Sequence, residues 1–321
     1  MSSPRVLAED VDVLTVGRIS VDLYAREAGV GFEEQQTFSK SVGGSPTNVA
    51  IAAARLGLSA AVATKVGGDG FGVYVRSALE RWGVDTRYVG VQADGLTPLA
   101  LAALDPPESP RVAFYRGPAA PDTTLVAADV PEQVIAELPL LWMSFSALST
   151  GSTADAGWTW LAQRARRAHT VLDLDYRPAL WRDAEVARAA AQRAISHATV
   201  TVGNREECAI ALGTDDPDAA ADRLLDLGVW LAIVKCGGDG VLLATGEDRV
   251  RLAPLPITVV CGLGAGDAFG GALCVGLLSD WDLPRIGRLA NAAGAIVSTR
   301  LTCADAMPTM SELTAMLEGA A

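Results

Sequence analysis

Lysine and histidine are nearly absent from this 321-residue chain, which has three lysines (Lys40, Lys65, Lys235) and two histidines (His169, His197). That leaves little material for a His–Cys or His–Ser nucleophilic pair. His169 ends the charged stretch "RARRAH" and reads as a solvated residue at a helix C-terminus. Basic residues are outnumbered, 26 against 38 acidic ones, for a formal net charge of -12, and no run of Lys and Arg offsets it locally. Such a balance repels polyanions and argues against nucleic acid as a partner, while a few local donors can still hold a small anion. The five cysteines (Cys208, Cys236, Cys261, Cys274, Cys303) form no C-x-x-C pair, so they read as reduced, mostly buried thiols rather than a zinc site or a disulfide framework. No stretch approaches the ~18 apolar residues of a membrane span. The opening "MSSPRVLAEDVDVLTVG" has acids where a secretory signal has its apolar core, so a cytoplasmic protein with no membrane association is expected.

Half of the residues are apolar, enough for a sizeable core. The length suits one large α/β domain with an insertion as well as it suits two domains. Short β-rich runs recur: "VDVLTVG" at 11, "AAVATKVG" at 60, "LLWMSFSAL" at 140, "TVLDLDY" at 170, "ATVTVGN" at 198 and "WLAIVKCGG" at 230. Between them lie patterns of helical spacing that end at Gly, such as "PTNVAIAAARLG" and "DAAADRLLDLG". This alternation predicts a doubly wound, mostly parallel sheet with helices on both faces, in a single domain over residues 1–321. Two segments, about 17–41 and about 96–117, instead alternate apolar and polar residues around turn clusters. They predict four short strands outside the main sheet, as a small β-lid on the core or as ordinary edge hairpins, with "DPPESP" a hairpin loop.

The stretch "CGLGAGDAFGGALCVGLLSD", from Cys261 to Asp280, carries the most chemistry. "LPITVVCG" reads as a strand, "GLGAG" as a turn and "DAFGGALCVGLL" as a helix, which puts the Gly264, Ala265 and Gly266 amides at a helix N-terminus, a natural anion hole. Asp267 in that place is either a helix cap or a base that takes a proton from a hydroxyl while the amides stabilise a transferring phosphoryl group. A Walker A loop is excluded, because no G-K-[ST] follows the glycines. The dinucleotide fingerprint is only weakly mimicked, since Asp282 sits at a helix end and not at a second strand end.

Other stretches offer candidates, each with a plainer structural reading. Gly43 and Gly44 form a turn with Asn48 behind them on a helix, where its amide can meet a polyol. "VGGDGFG" is a second flexible strand-to-helix connection. In "VGNREE", Asn204 and Glu207 either face one ligand or begin a solvated helix. Lys235 ends a strand before the flexible "CGGDG", where it and Gly237 would reach a nucleotide phosphate. Asn291 opens the small-residue stretch "NAAGAIVSTR", which would let an adenine approach.

In this order, "GRISVDL", the Gly-Gly turn with its Asn, "VGGDGFG", "NREE" and "GAGDAF" resemble the ribokinase-like (phosphofructokinase-B) carbohydrate kinase family along nearly the whole chain. The resemblance implies ATP and Mg²⁺, with Asp267 as the general base and the Ala265 and Gly266 amides as the anion hole. Asn204 and Glu207 would organise Mg²⁺ through water. Asp22, Gly44 and Asn48 would bind substrate hydroxyls, Asp22 being carried on the lid. Within the family, "GRISVDLY", "VGGSPTN", "FYR" at 114–116, "LDLDYRPALW" and "TRLTCADAMPT" resemble most the 5-dehydro-2-deoxygluconokinases of inositol catabolism. The 2-dehydro-3-deoxygluconate kinases share the Tyr-Arg-Pro element and are the nearest alternative, ahead of fructokinase or ribokinase activity.

An acidic sugar needs a cation for its carboxylate. Arg116, beside Tyr115, or Arg177 would supply one, with a structural ion pair as the plainer reading of either. Cys261 stands where many family members carry an Asp that helps a monovalent cation site, so the resemblance leaves potassium dependence open, with backbone carbonyls as the alternative ligands. From other classes, a sugar-sensing protein without turnover has no need of Asp267, and a nicotinamide-dependent oxidoreductase would need a phosphate loop near "VGRISVD", which has one glycine. An exposed lid sheet predicts a homodimer through the lid.

Overall fold

The computed structural model describes residues 10–117, 119–167 and 169–319, so Met1–Glu9 of the acid-bearing opening segment lie outside the described residues. The strands of the first half are β1 (Val13–Val16), β2 (Ser20–Ala28), β3 (Phe38–Gly43), β4 (Ala60–Gly67), β5 (Val89–Gln92), β6 (Leu99–Leu104) and β7 (Arg111–Tyr115). Those of the second half are β8 (Leu140–Ser144), β9 (Thr170–Asp173), β10 (Val200–Asn204), β11 (Leu231–Lys235), β12 (Val241–Ala244) and β13 (Arg249–Leu252). The helices are α1 (Ser45–Arg55), α2 (Gly70–Arg81), α3 (Glu132–Glu137), α4 (Gly151–Arg164), α5 (Ala184–Ile195), α6 (Arg205–Leu212), α7 (Pro217–Asp226), α8 (Ala265–Leu278), α9 (Leu283–Ser298) and α10 (Met310–Gly319).

Nine strands form the main sheet in the order β13-β12-β11-β10-β9-β8-β1-β4-β5, parallel from β5 to β11 with β12 and β13 antiparallel at one edge. The predicted α/β class is the one observed. Strands buried on both faces read as continuous apolar runs, which is why "VLTV" and "LLWMS" were legible. Successive residues serve opposite faces: Val13 joins the core under α1, α2, α8 and α9, and Leu14 joins the core under α3, α4, α5 and α7.

The chain leaves β1 for β4 on one side and later places β8 on the other, so the order reverses at β1. Parallel sheets bind ligands at the carboxyl edge of such a switch point. That edge carries Arg18 after β1, Ser146 after β8, Asp173 at the end of β9, Asn204 ending β10 and Lys235 ending β11.

Residues 20–43 and 99–115 build a second sheet of four strands, β3-β2-β6-β7, in which β2 pairs antiparallel with β3 and parallel with β6. The "DPPESP" segment is the β6–β7 loop. It reaches across to the main body, where the Gly262 N–H donates to the Pro107 carbonyl at 2.9 Å.

Two expectations are corrected. Leu255–Gly262 is not a strand: Pro254 and Pro256 lack amide donors, and the Val260 and Cys261 amides donate to the Ser298 carbonyl at the end of α9. His169 does not end a helix. Helix α4 stops at Arg164 because Ala165 and Arg166 turn left-handed (φ 49° and 58°), and the His169 amide then donates to Pro139 at the entry to β9. Burial, with Arg164 nearby, holds the His169 imidazole below its usual pKa.

Candidate active site

Helix α8 begins at Ala265 with Gly264 as its N-cap in the left-handed region (φ 82°), and no side chain caps it. Asp267 is therefore not a cap. Its Oδ2 instead accepts a 2.8 Å hydrogen bond from Asn48 Nδ2 in the first turns of α1, and the Ser45 hydroxyl lies near enough to favour the ionised carboxylate. The two helix starts meet because α8 is narrow where it crosses α1: a side-chain carbon on Gly271 would lie 2.3 Å from the Ala52 Cβ. Overpacking such a contact costs about 1–3 kcal/mol and would spread the helices. Burial pushes the Asp267 carboxyl up to about 6, against the Asn48 and Ser45 hydrogen bonds that favour its ionised form.

The Ala265, Gly266 and Asp267 amides are the unpaired donors of this helix start. Lys235 stands beside them, its Nζ 3.0 Å from where a side-chain carbon on Gly266 would sit. Burial would depress the Lys235 ammonium, but Glu207, Asp173, Asp267 and Asp175 outweigh it and raise its pKa. Helix amides and an ammonium converge on one spot, which favours an anion.

Asn204 and Glu207 form a capping box at the start of α6: Glu207 Oε2 accepts from the Asn204 amide at 2.7 Å, and Asn204 Oδ1 accepts from the Glu207 amide at 2.8 Å. In this state they satisfy each other. Asp173, which the motifs did not single out, lies between the groups: Ser45 Oγ is 3.3 Å from its Oδ2, and burial, with Asp175, Glu207 and Asp267 nearby, raises its pKa against Lys235.

Asp22 on β2 occupies the space in front of Gly43, accepts from Ser20 Oγ at 2.6 Å and from the Tyr24 hydroxyl at 3.1 Å, and is pushed up to about 6 by burial. Gly44 caps α1. Asn48 is 3% exposed, and its Oδ1 is buried without a hydrogen-bond partner. Arg116 pairs with Asp122, and Arg177 Nη2 lies 2.8 Å from Asp175 Oδ1, so both arginines have acidic partners within the chain. Asp175 accordingly raises the Arg177 pKa. Tyr115 is exposed at the end of β7, outside these contacts. At the far end of the edge, Gly237 takes φ 58° and Asn291 donates to the Ala253 carbonyl at 3.1 Å.

Residues 10–310 match the profile of the pfkB family carbohydrate kinases. The chain belongs to that family. Among curated relatives of this PfkB kinase, the 5-dehydro-2-deoxygluconokinase of Geobacillus kaustophilus (strain HTA426) is 32% identical over 316 residues, 96% of this chain and 94% of that one. Among solved structures, the PfkB protein of Polaromonas sp. JS666 superposes with a TM-score of 0.83 at 26% identity, covering 95% and 99% of the two chains. Aminoimidazole riboside kinase of Salmonella enterica, solved with aminoimidazole riboside and an ATP analogue, gives 0.81 at 26% identity over 95% of this chain and 99% of that one. The PfkB kinase is thus a carbohydrate kinase with the ribokinase-like fold.

Proposed function

We propose that this kinase transfers the γ-phosphoryl group of ATP to the 6-hydroxyl of 5-dehydro-2-deoxy-D-gluconate. The reading of the chemistry rests above all on the Asp267 carboxylate, uncapped, bonded to Asn48 and set beside the α8 amides and Lys235. The choice of acceptor is supported by the 32% identical relative of that name and by the arginines of the "FYR" and "DYRP" segments.

In this proposal the 6-hydroxyl lies between Asp267 and the γ-phosphorus, and Asp267 accepts its proton as the oxygen attacks in line. The Ala265 and Gly266 amides and Lys235 stabilise charge on the moving phosphoryl oxygens, with Gly264 shaping their approach. Gly237 and Asn291 border the nucleotide. Asp22, Gly43, Gly44 and Asn48 hold the sugar, and the unpartnered Asn48 Oδ1 suits a donating hydroxyl.

Mg²⁺ bound to the phosphates would neutralise their charge, with Asn204 and Glu207 reaching it through water. Among the described residues no group of three or more His, Cys, Asp or Glu could hold a metal, which fits an ion carried mainly by phosphates and water. Cys261 is buried with its thiol pKa raised, a poor partner for a hard monovalent cation, and no potassium role is assigned. The chain acts as one kinase domain whose second sheet serves as a lid, a role supported by the Pro107–Gly262 contact. Closing it keeps water from competing for the phosphoryl group.

A coupled ADP-release assay with Mg-ATP tests the acceptor, using 5-dehydro-2-deoxygluconate, 2-dehydro-3-deoxygluconate, fructose and ribose. The first should give the highest kcat/KM. Preference for 2-dehydro-3-deoxygluconate would reassign the substrate within the acidic sugars, and preference for fructose or ribose would discard the carboxylate argument.

A base pushed up to about 6 must be ionised to act, so kcat/KM should rise with pH through that value and level off above it. Because the Asn48 amide stabilises the ionised form, Asn48→Leu should move this limb upward by about one pH unit. A limb that stays in place in the variant would disconnect Asn48 from the base.

A further inference from the structure

Tyr24 on β2 is fully buried, yet its hydroxyl has two polar neighbours, Asp22 Oδ2 at 3.1 Å and Cys303 Sγ at 2.8 Å. The hydroxyl has one proton to give. With its pKa pushed up to about 6, Asp22 is ionised at neutral pH, and a carboxylate is the stronger acceptor. Burial raises the pKa of the Cys303 thiol, which keeps its own proton and donates it to the tyrosine oxygen. The result is a directed chain from Cys303 through Tyr24 to Asp22, whose other oxygen accepts from Ser20 Oγ at 2.6 Å.

Cys303 is also a wall of the anion-hole turn. A side-chain carbon on Gly264 would lie 2.6 Å from its Sγ and 2.9 Å from its Cβ, so the N-cap of α8 rests on this residue. The segment that carries it, "TRLTCADAMPT", is anchored to the main body: Ser298 just before it accepts the Val260 and Cys261 amides, and Arg300 Nη1 donates to the Ala306 carbonyl at 2.8 Å while Nη2 pairs with Glu312 on α10. A second tie runs from the same segment to the second sheet, where Ser41 Oγ on β3 donates to Asp305 Oδ2 at 2.6 Å. Asp22 and the turn at Gly264, on different parts of the fold, thus share one tyrosine–cysteine support.

We propose that Tyr24 and Cys303 are positioning residues that couple the acceptor site at Asp22 to the anion hole at Gly264. The inference rests on the roles given to Asp22 and the α8 amides above and deepens them. An acceptor hydroxyl on Asp22 fixes the carboxylate, and with it the Tyr24 hydroxyl and the Cys303 sulfur against the turn. Ordering the turn then costs less when phosphates reach the Ala265 and Gly266 amides, so the second substrate binds more tightly. A wall of packed atoms alone would hold the turn equally well with the acceptor present or absent.

Titration calorimetry of the full chain tests this with Mg²⁺ and a non-hydrolysable ATP analogue, in the absence and presence of saturating sugar. The sugar is whichever of 5-dehydro-2-deoxygluconate, 2-dehydro-3-deoxygluconate, fructose and ribose the wild type binds most tightly. It should tighten analogue binding about fivefold or more in the wild type. Cys303→Ala leaves the Ser20 and Tyr24 bonds to Asp22 in place, so sugar affinity measured alone should stay within about twofold while the coupling falls below about twofold. Tyr24→Phe keeps the ring in the core and breaks the chain at Asp22, so it should lose the coupling and also weaken the sugar by about threefold to tenfold. Cys303→Ser keeps a donor of similar size and should keep most of the coupling.

A wild type without coupling, or one that binds none of the four sugars, overturns the inference. So does a folded Cys303→Ala, or Tyr24→Phe if that variant alone folds, with the coupling intact. A Cys303→Ser that behaves as Cys303→Ala overturns the hydrogen-bonded chain in favour of packing. Coupling that depends on Cys303, with fructose or ribose as the tightest sugar, supports the inference and overturns the proposed acceptor instead.

Discussion

Replacing Asp267 with Asn is expected to lower kcat by about 10²–10⁴-fold, the usual worth of a positioned base, while ATP binding survives. The amide can still turn its oxygen toward the Asn48 Nδ2 that now lies 2.8 Å from Asp267 Oδ2, so the start of α8 and its free amides keep their place. What is lost is the proton acceptor, and with it the acidic limb of the pH profile near 6 that the wild type should show. Single-turnover measurement with saturating ATP and acceptor separates this loss from any change in binding. Near-wild-type turnover would remove Asp267 from the role of base and leave the anion hole and Lys235 to account for the rate.

Gly264→Ala should lower kcat by about 10²–10³-fold, the range seen when a donor of an anion hole is displaced. Two independent causes act. At φ 82° a side-chain carbon is strained, by roughly 1–2 kcal/mol. The added carbon would also stand 2.6 Å from Cys303 Sγ and 2.9 Å from Cys303 Cβ, and Cys303 is 3% exposed and bonded through its sulfur to the Tyr24 hydroxyl. Since Cys303 has little room to retreat, the loop would move instead, carrying the Ala265 and Gly266 amides off the phosphoryl group. Adding Cys303→Ala to the variant removes the nearer atom and should restore part of the activity, the remainder reflecting backbone strain. Full activity in Gly264→Ala alone would mean that the geometry of this turn does not set the position of the anion hole.

Much of this was legible in one dimension. Parallel strands buried on both faces must be apolar throughout, so β1, β4, β8, β10 and β11 stood out as runs, and Gly at helix ends marked the segments between them. Glycines around one acid at a helix start marked a candidate anion hole, and the order of five such stretches sufficed for the family. Leu255–Gly262 misled because a run of β-branched residues, Ile257 to Val260, looks like a strand wherever it occurs, and the missing donors of Pro254 and Pro256, with Ser298 taking the Val260 and Cys261 amides, decide otherwise.

The sequence by itself determined the fold class and the kinase family and singled out Asp267 as the candidate base, because each depends on local chemistry: periodicity, helix-terminal amides and the placing of glycines. Whether Asp267 is a cap or a free carboxylate depended on Asn48, 219 positions away, and on the closeness of α8 to α1 at Gly271. That Asp22 and the Gly264 turn meet the same two side chains depended on the contact of Tyr24 with Cys303, 279 positions apart, which no spacing in the sequence announces. A buried charge acquires its meaning from the neighbours that share its desolvation, and those neighbours come from distant parts of the chain, so only the tertiary structure could name them.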